Sequence, residues 1–170
     1  RTQCSMSKAT KSKLPPPKLI LVIDPAAAAG VALFAEGKLV AHSPAKGDSF
    51  RSLMQVVGPL VQPYLAKYPE SERICLLEQH WMSFRSVKGS LTLGQRRGIA
   101  QSAGEACGFN LWLYIGASTW QNGLFGGRVP DTKAAAVKHV QDKYGFTPAT
   151  DDVADAIAIG DYYLANLVSL

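Results

Sequence analysis

Cysteine is scarce in this 170-residue chain and badly placed for pairing. Cys4, Cys75 and Cys107 are odd in number and widely spaced. That excludes a disulfide framework and a CxxC zinc signature, and it fits a reducing compartment. Long apolar runs are missing as well. The best candidate, residues 19–34, is interrupted by Asp24, Pro25 and Gly30, so it falls short of the roughly 18–20 apolar residues of a membrane span, and no membrane partner is expected. Acidic residues are absent from the first 18 positions, which carry Arg1, Lys8, Lys11, Lys13 and Lys18. The net charge of +5 is therefore a property of the N-terminal arm; the remaining chain holds 13 basic and 13 acidic residues. The high sequence pI alone does not argue for nucleic acid. No internal repeat is visible, and 170 residues suit one domain with one sizeable core.

What is present is an alternation of elements. Residues 1–18, ending in Pro15-Pro16-Pro17, read as a disordered basic arm with a stiff stop. Basic, acid-free composition also suits an organelle transit segment. Leu19-Ile20-Leu21-Val22-Ile23 is a buried strand that ends at Asp24-Pro25, and Gly30–Phe34 and Leu39–His42 are further strands around a turn at Glu36-Gly37-Lys38. Apolar residues at helical spacing predict a helix from Ser49 to Lys67, capped by Asp48 or Ser49. A strand from Arg73 to Glu78, a helix from Ser90 to Cys107, a strand from Leu111 to Ile115 and two helices over 132–144 and 151–167 complete the reading. The expected fold is α/β, a mixed five-stranded sheet flanked by helices, over residues 19–170.

Two acids, Asp24 and Glu78, end strands, and functional groups collect at the carboxyl ends of strands in open α/β sheets. Asp152 and Asp155 are spaced i, i+3 and share a helix face, with Asp151 as a plausible cap. Each has an ordinary structural reading alone: a turn, a strand-end ion pair, an N-cap. Drawn together, four carboxylates repel unless cations offset the charge, and their hard oxygens suit Mg²⁺ or Mn²⁺. Two such ions about 4 Å apart cleave phosphodiesters.

At these residues the chain resembles the RuvC family of Holliday-junction resolvases, in the RNase H-like superfamily. The stretches concerned are Ile23-Asp24-Pro25 followed by Gly30; Leu77-Glu78-Gln79 followed by Trp81; Leu91-Thr92-Leu93-Gly94-Gln95-Arg96-Arg97-Gly98; and Asp152-Val153-Ala154-Asp155-Ala156. The resemblance implies an RNase H-like fold and a homodimer that nicks four-way DNA junctions symmetrically. It implies that Asp24, Glu78, Asp152 and Asp155 hold two Mg²⁺ ions, with Mn²⁺ able to substitute, and that Lys133 is the functional basic residue of the site. It places the dimer contact on the helix from Ser90 to Cys107, whose Gly94, Gly98, Ala100, Ala103 and Gly104 would allow close approach; packing of that face onto the sheet is the other reading. DNA contacts are expected from Trp81, Phe84, Arg85, Lys88, Arg96 and Arg97, the best basic-plus-aromatic stretch of the body, and from Gln121 and Arg128.

The chain departs from the family pattern at Ala26-Ala27-Ala28-Ala29, where Gly and Thr are usual, and at Gln121, where many relatives carry a basic residue. His80 is read as structural. No metal-binding acid is lost, so an active enzyme is expected. Competing readings are another RNase H-like nuclease acting on flaps or RNA–DNA hybrids, a non-catalytic junction-binding protein, and an actin-like ATPase fragment, for which the chain is too short. The expected location is a DNA-containing cytoplasm, bacterial or phage-infected, with an organelle matrix as alternative; the existence of a branch-migration motor partner is open.

Overall fold

The computed structural model describes residues 17–79 and 87–167, the last without its side chain. The expected basic arm, apart from Pro17 and Lys18, lies outside the described residues, as do His80, Trp81, Phe84 and Arg85.

The chain opens with three antiparallel strands, β1 (Leu19–Asp24), β2 (Gly30–Ala35) and β3 (Lys38–Pro44). A two-residue turn joins β2 to β3, with Glu36 at φ 51° and Gly37 at φ 77°. Two successive positive φ values match the right-handed strand twist of a tight hairpin. Helix α1 (Phe50–Leu65) follows, with Ser49 as its cap: the hydroxyl accepts from Ser52 N. A short 3₁₀ turn leads into β4 (Arg73–Gln79), then α2 (Val87–Ala106), β5 (Trp112–Gly116), α3 (Ala117–Phe125), α4 (Thr132–Tyr144) and α5 (Asp151–Leu167). The sheet order is β3-β2-β1-β4-β5, with β4 parallel to β1 and β5 parallel to β4.

The sheet separates two cores. Odd positions of β1 (Leu19, Leu21, Ile23) join Cys75 and Leu77 against α1 and α2. Even positions (Ile20, Val22) join Leu76, Ala32 and Phe34 against α3, α4 and α5. Alternation along each strand produces this division. Helix α5 is the centre of the second core: Val153, Ala154, Ala156, Ile157, Ala158 and Ile159 are all fully buried. A helix apolar on nearly every side needs neighbours on nearly every side; α5 contacts α3, α4 and four strands.

Three expectations need correction. Helix α3, directly after β5, was not anticipated. The cap of α5 is Thr150, whose hydroxyl accepts from Val153 N, not Asp151, which is the first helical residue. The small residues of α2 do not form one face: Ala100, Ala103 and Gly104 are buried on the sheet, and Gly94 and Gly98 are exposed in open space. The remaining bounds move by a few residues, notably α2, which begins at Val87.

Candidate active site

Strand parity places the first two acids. Asp24 continues the even series of β1 and Glu78 the series of Leu76, so both side chains meet the face covered by α5. The parallel register pairs Val22 with Leu76 and Ile23 with Leu77, which brings the two acids to adjacent strand ends. The N-terminal turn of α5 crosses directly over them. Gly30, the ladder partner of Asp24, permits this approach: a Cβ there would overlap the carbonyl of Asp152 and lie 2.6 Å from Val153 N.

Carboxylate oxygens of Asp24, Asp152 and Asp155 all lie within 4.8 Å of one another. Glu78 stands outside that closest set. Its Oε1 accepts the indole N–H of the fully buried Trp120 at 2.9 Å. Asp24 and Glu78 are only 3% and 5% exposed while Asp152 and Asp155 are half-buried, so the cluster is sunk at the carboxyl ends of two interior strands and opens on its α5 side.

Burial pushes the carboxyl of Asp155 up to about 8, and the charges of Asp24, Glu78 and Asp152 push the same way. Burial also raises Asp152, against the opposing pull of Lys133. Lys133, on the first turn of α4, bonds Asp151 at 3.1 Å, and that bond holds its ammonium above its usual range. The result is a concentration of negative charge with one lysine at its rim. The donor set contains only carboxylate oxygens, with no thiol or imidazole in it. Hard donors under mutual repulsion fit a divalent cation of the Mg²⁺ or Mn²⁺ type, whose charge would offset the burial and the repulsion that together raise Asp155.

The alanine loop after β1 is held by its backbone. Ala26 N bonds Asp24 O, Ala45 N bonds Ala29 O and Gly47 N bonds Ala27 O, all at 2.8–2.9 Å. None of Ala26–Ala29 has positive φ. The segment therefore forms without the hydroxyl or the glycine that the sequence pattern lacks.

The other expected contacts scatter. Lys88 is exposed on the first turn of α2. Arg96 pairs with Asp48 at 3.1 Å, and Arg97 lies over the Tyr114 ring at 5.0 Å. Gln121 and Arg128 line a cavity between α3 and the loop that follows it. Trp120 and Thr150 were missed by sequence reasoning. Thr150 had a signal, because Thr before an acidic first turn is a capping pattern.

No family model matches the sequence, and no curated protein does. Solved structures do match. A Thermus thermophilus RuvC structure is similar at TM-score 0.62 and 17% identity, over 89% of this chain and 96% of that one. T. thermophilus RuvC in complex with Holliday junction substrate is similar at the same TM-score and identity, over 89% and 95%. The chain has a RuvC-like fold. The expected RNase H-like sheet flanked by helices is thus the observed one. On this RuvC-like framework, the acidic cluster stands at the carboxyl ends of β1 and β4, where α5 closes over them.

Proposed function

We propose that this chain is a metal-dependent endodeoxyribonuclease that resolves four-way DNA junctions by paired symmetric nicks. The observation that carries this reading is the meeting of Asp24, Asp152 and Asp155, with Glu78 and Lys133 beside them, on a RuvC-like fold. One of the similar RuvC structures contains a Holliday junction substrate.

Asp24, Asp152 and Asp155 would hold Mg²⁺, two ions per site with Glu78 completing the set, and Mn²⁺ would substitute. Bound metal supplies an activated water and charge stabilisation for in-line displacement at phosphorus. The chain's own groups do the rest. Trp120 fixes the Glu78 carboxylate through its indole N–H. Lys133 exchanges Asp151 for a scissile phosphate oxygen and stabilises the added negative charge. The water oxygen bonds to phosphorus, the P–O3′ bond breaks, and the products carry 5′-phosphate and 3′-hydroxyl ends.

Two nicks require two sites related by a two-fold axis, hence a homodimer. Support comes from α2. Val87, Leu91, Gly94 and Gly98 are spaced by four, three and four residues and form one exposed stripe; Val87 and Leu91 are 70% and 68% exposed. That is the spacing of a helix-pairing seam, and glycines at 94 and 98 permit close approach to a second copy of α2. In sequence, Trp81, Phe84, Arg85 and Lys88 precede or begin the same helix. The reading places the protein with DNA, in a bacterial or phage-infected cytoplasm or an organelle matrix.

The test is cleavage of a synthetic mobile four-way junction in Mg²⁺, beside a linear duplex, a 5′ flap and an RNA–DNA hybrid of the same sequence. Symmetric nicks confined to the junction are expected, and Asp24→Asn or Asp155→Asn should abolish cutting with junction binding retained. Cutting of the flap or hybrid with the junction spared would overturn the substrate. Binding without cutting on any substrate would leave a non-catalytic junction binder.

A further inference from the structure

A cavity of about 680 Å³ is bounded by α3 on one side and residues 127–132 on the other. Its volume falls in the range of about 300–1,000 Å³ typical of small-molecule sites. Ser118, Gln121 and Asn122 line the α3 wall. Their i, i+3, i+4 spacing gives α3 one polar face, opposite the face that buries Trp120 and packs Leu124 in the core. Gly126 at φ 72° and Gly127 at φ 139° turn the chain to form the second wall, which presents Arg128 and Thr132. Val129 and Pro130 add an apolar surface.

Among the described residues, the side chains of Ser118, Gln121, Asn122 and Arg128 make no hydrogen bond or ion pair. Two carboxamides, a hydroxyl and a guanidinium therefore line one space with no protein partner; Ser118, Asn122 and Arg128 are exposed and Gln121 is half-buried, so a ligand would exchange with water there. No carboxylate lines it. Both walls are tied to the acidic site by neighbours in the chain: Trp120, on the inner face of α3, bonds Glu78, and Thr132 precedes Lys133, which bonds Asp151.

This chemistry is selective. A single cation suits one phosphate, not a polyphosphate. Paired donors and acceptors on flat carboxamides suit the edge of a base, as Asn and Gln do when they read bases. An apolar wall suits a base face. We infer that the cavity holds one unpaired nucleotide of the cut strand, with Gln121 and Asn122 reading the base edge and Arg128 holding its phosphate. The cavity then sets the sequence preference of cutting. This rests on the nuclease reading for its biological setting, but the binding it states is independent of cutting.

The experiment is an NMR titration of the ¹⁵N-labelled full chain in EDTA with four short single-stranded oligonucleotides that differ only in the central base. Expected are shifts at Ser118, Gly127 and the side-chain amides of Gln121 and Asn122, and a spread of at least about fivefold between the tightest and weakest base. Asn122→Ala, and separately Gln121→Ala, should collapse that spread. Arg128→Ala should weaken all four about equally and lower the slope of log affinity against log salt by roughly one. Absence of shifts at these residues, equal affinity for the four bases, or a spread untouched in both amide variants would overturn the inference. Since no metal and no cutting are involved, a protein that binds this way yet cuts no junction overturns only the nuclease reading. A junction-cutting protein without base discrimination in the titration overturns only the cavity's role.

Discussion

Gly30→Ala isolates the contact on which the site's assembly depends. Asp24 and Gly30 are ladder partners, and the backbone of α5 at Asp152–Val153 rests directly on Gly30. A methyl group there overlaps the Asp152 carbonyl and lies 2.6 Å from Val153 N. Ordinary non-bonded separation is about 3.5 Å, so α5 must retreat by about 1 Å or more. Nothing nearby yields easily, since Val153, Ala154 and the β2 residues facing them are fully buried. Overpacking of this kind costs about 1–3 kcal/mol, which for a domain of this size lowers Tm by about 2–12 °C. The retreat carries Asp152 and Asp155 away from Asp24 together. Site geometry tolerates only about 0.5 Å, and a misplacement of about 1 Å costs about a hundredfold in rate. The assay is thermal unfolding in EDTA and in saturating Mn²⁺, with Mn²⁺ affinity measured by calorimetry. We expect a lower Tm and Mn²⁺ binding weaker by more than about tenfold. Gly58→Ala is the control: the position lies inside α1 with only Met54 Cε nearby, at 3.9 Å, so the same change should stabilise by about 0.5–1 kcal/mol. A Gly30→Ala protein with unchanged Tm and full Mn²⁺ affinity would refute the argument.

Three further outcomes are expected. Asp155, raised to about 8 in the metal-free protein, is protonated at neutral pH, so Mn²⁺ binding should release a proton and tighten as pH rises from 6 to 9; calorimetry in buffers of different ionisation enthalpy reads the proton, and pH-independent affinity would contradict it. Trp120→Phe removes the indole N–H from Glu78 and should weaken Mn²⁺ binding about 10- to 100-fold, with the loss absent if Glu78 takes no part in the metal site. Asp161, on α5, is buried and accepts from His139 at 2.7 Å, Lys143 at 2.8 Å and Tyr144 at 2.7 Å on α4; burial alone would raise its carboxyl, but these three bonds outweigh it and hold it below its usual range. A depressed carboxylate stabilises the fold above its unfolded value and loses that stabilisation as pH falls through the folded value. Asp161→Asn should therefore cost about 2–4 kcal/mol in urea unfolding at pH 7 and progressively less below about pH 4, and an equal cost at pH 7 and pH 3 would show that the network is not ionic.

What was legible in the sequence follows from the range over which each signal acts. The strands of the sheet centre are continuous β-prone runs, and Asp152-x-x-Asp155 needs only helical geometry to share a face, so both could be read locally. Helix α3 could not. It follows β5 without a loop, its N-cap Gly116 makes no side-chain cap, and of its nine residues only Trp120 is buried. The bond from Trp120 to Glu78 spans 42 residues and depends on β4 pairing with β5 so that Glu78 lies opposite Ile115. Only after that register is known does the chain beyond Gly116 fall beside the acid.

The small residues of α2 teach the opposite lesson, because the correct answer was available. At about 100° per residue, Gly94 and Gly98 lie about 40° apart, whereas Ala100, Ala103 and Gly104 cluster on the far side. One tally of small residues had merged two surfaces. Separated, they carry different physics. Ala100, Ala103 and Gly104 let α2 settle on the sheet, where a Cβ on Gly104 would meet the Trp112 ring at 2.6 Å. Gly94 and Gly98 continue an exposed stripe that begins with Val87 and Leu91 and has no sheet to cover. A helix whose inner face already satisfies the core gains nothing for its own fold from apolar and small residues on the outer one. On the proposed reading those outer residues pair with a second copy of α2, and cross-linking through Gly94→Cys should join two chains, whereas a protein that stays monomeric would leave the stripe without that role.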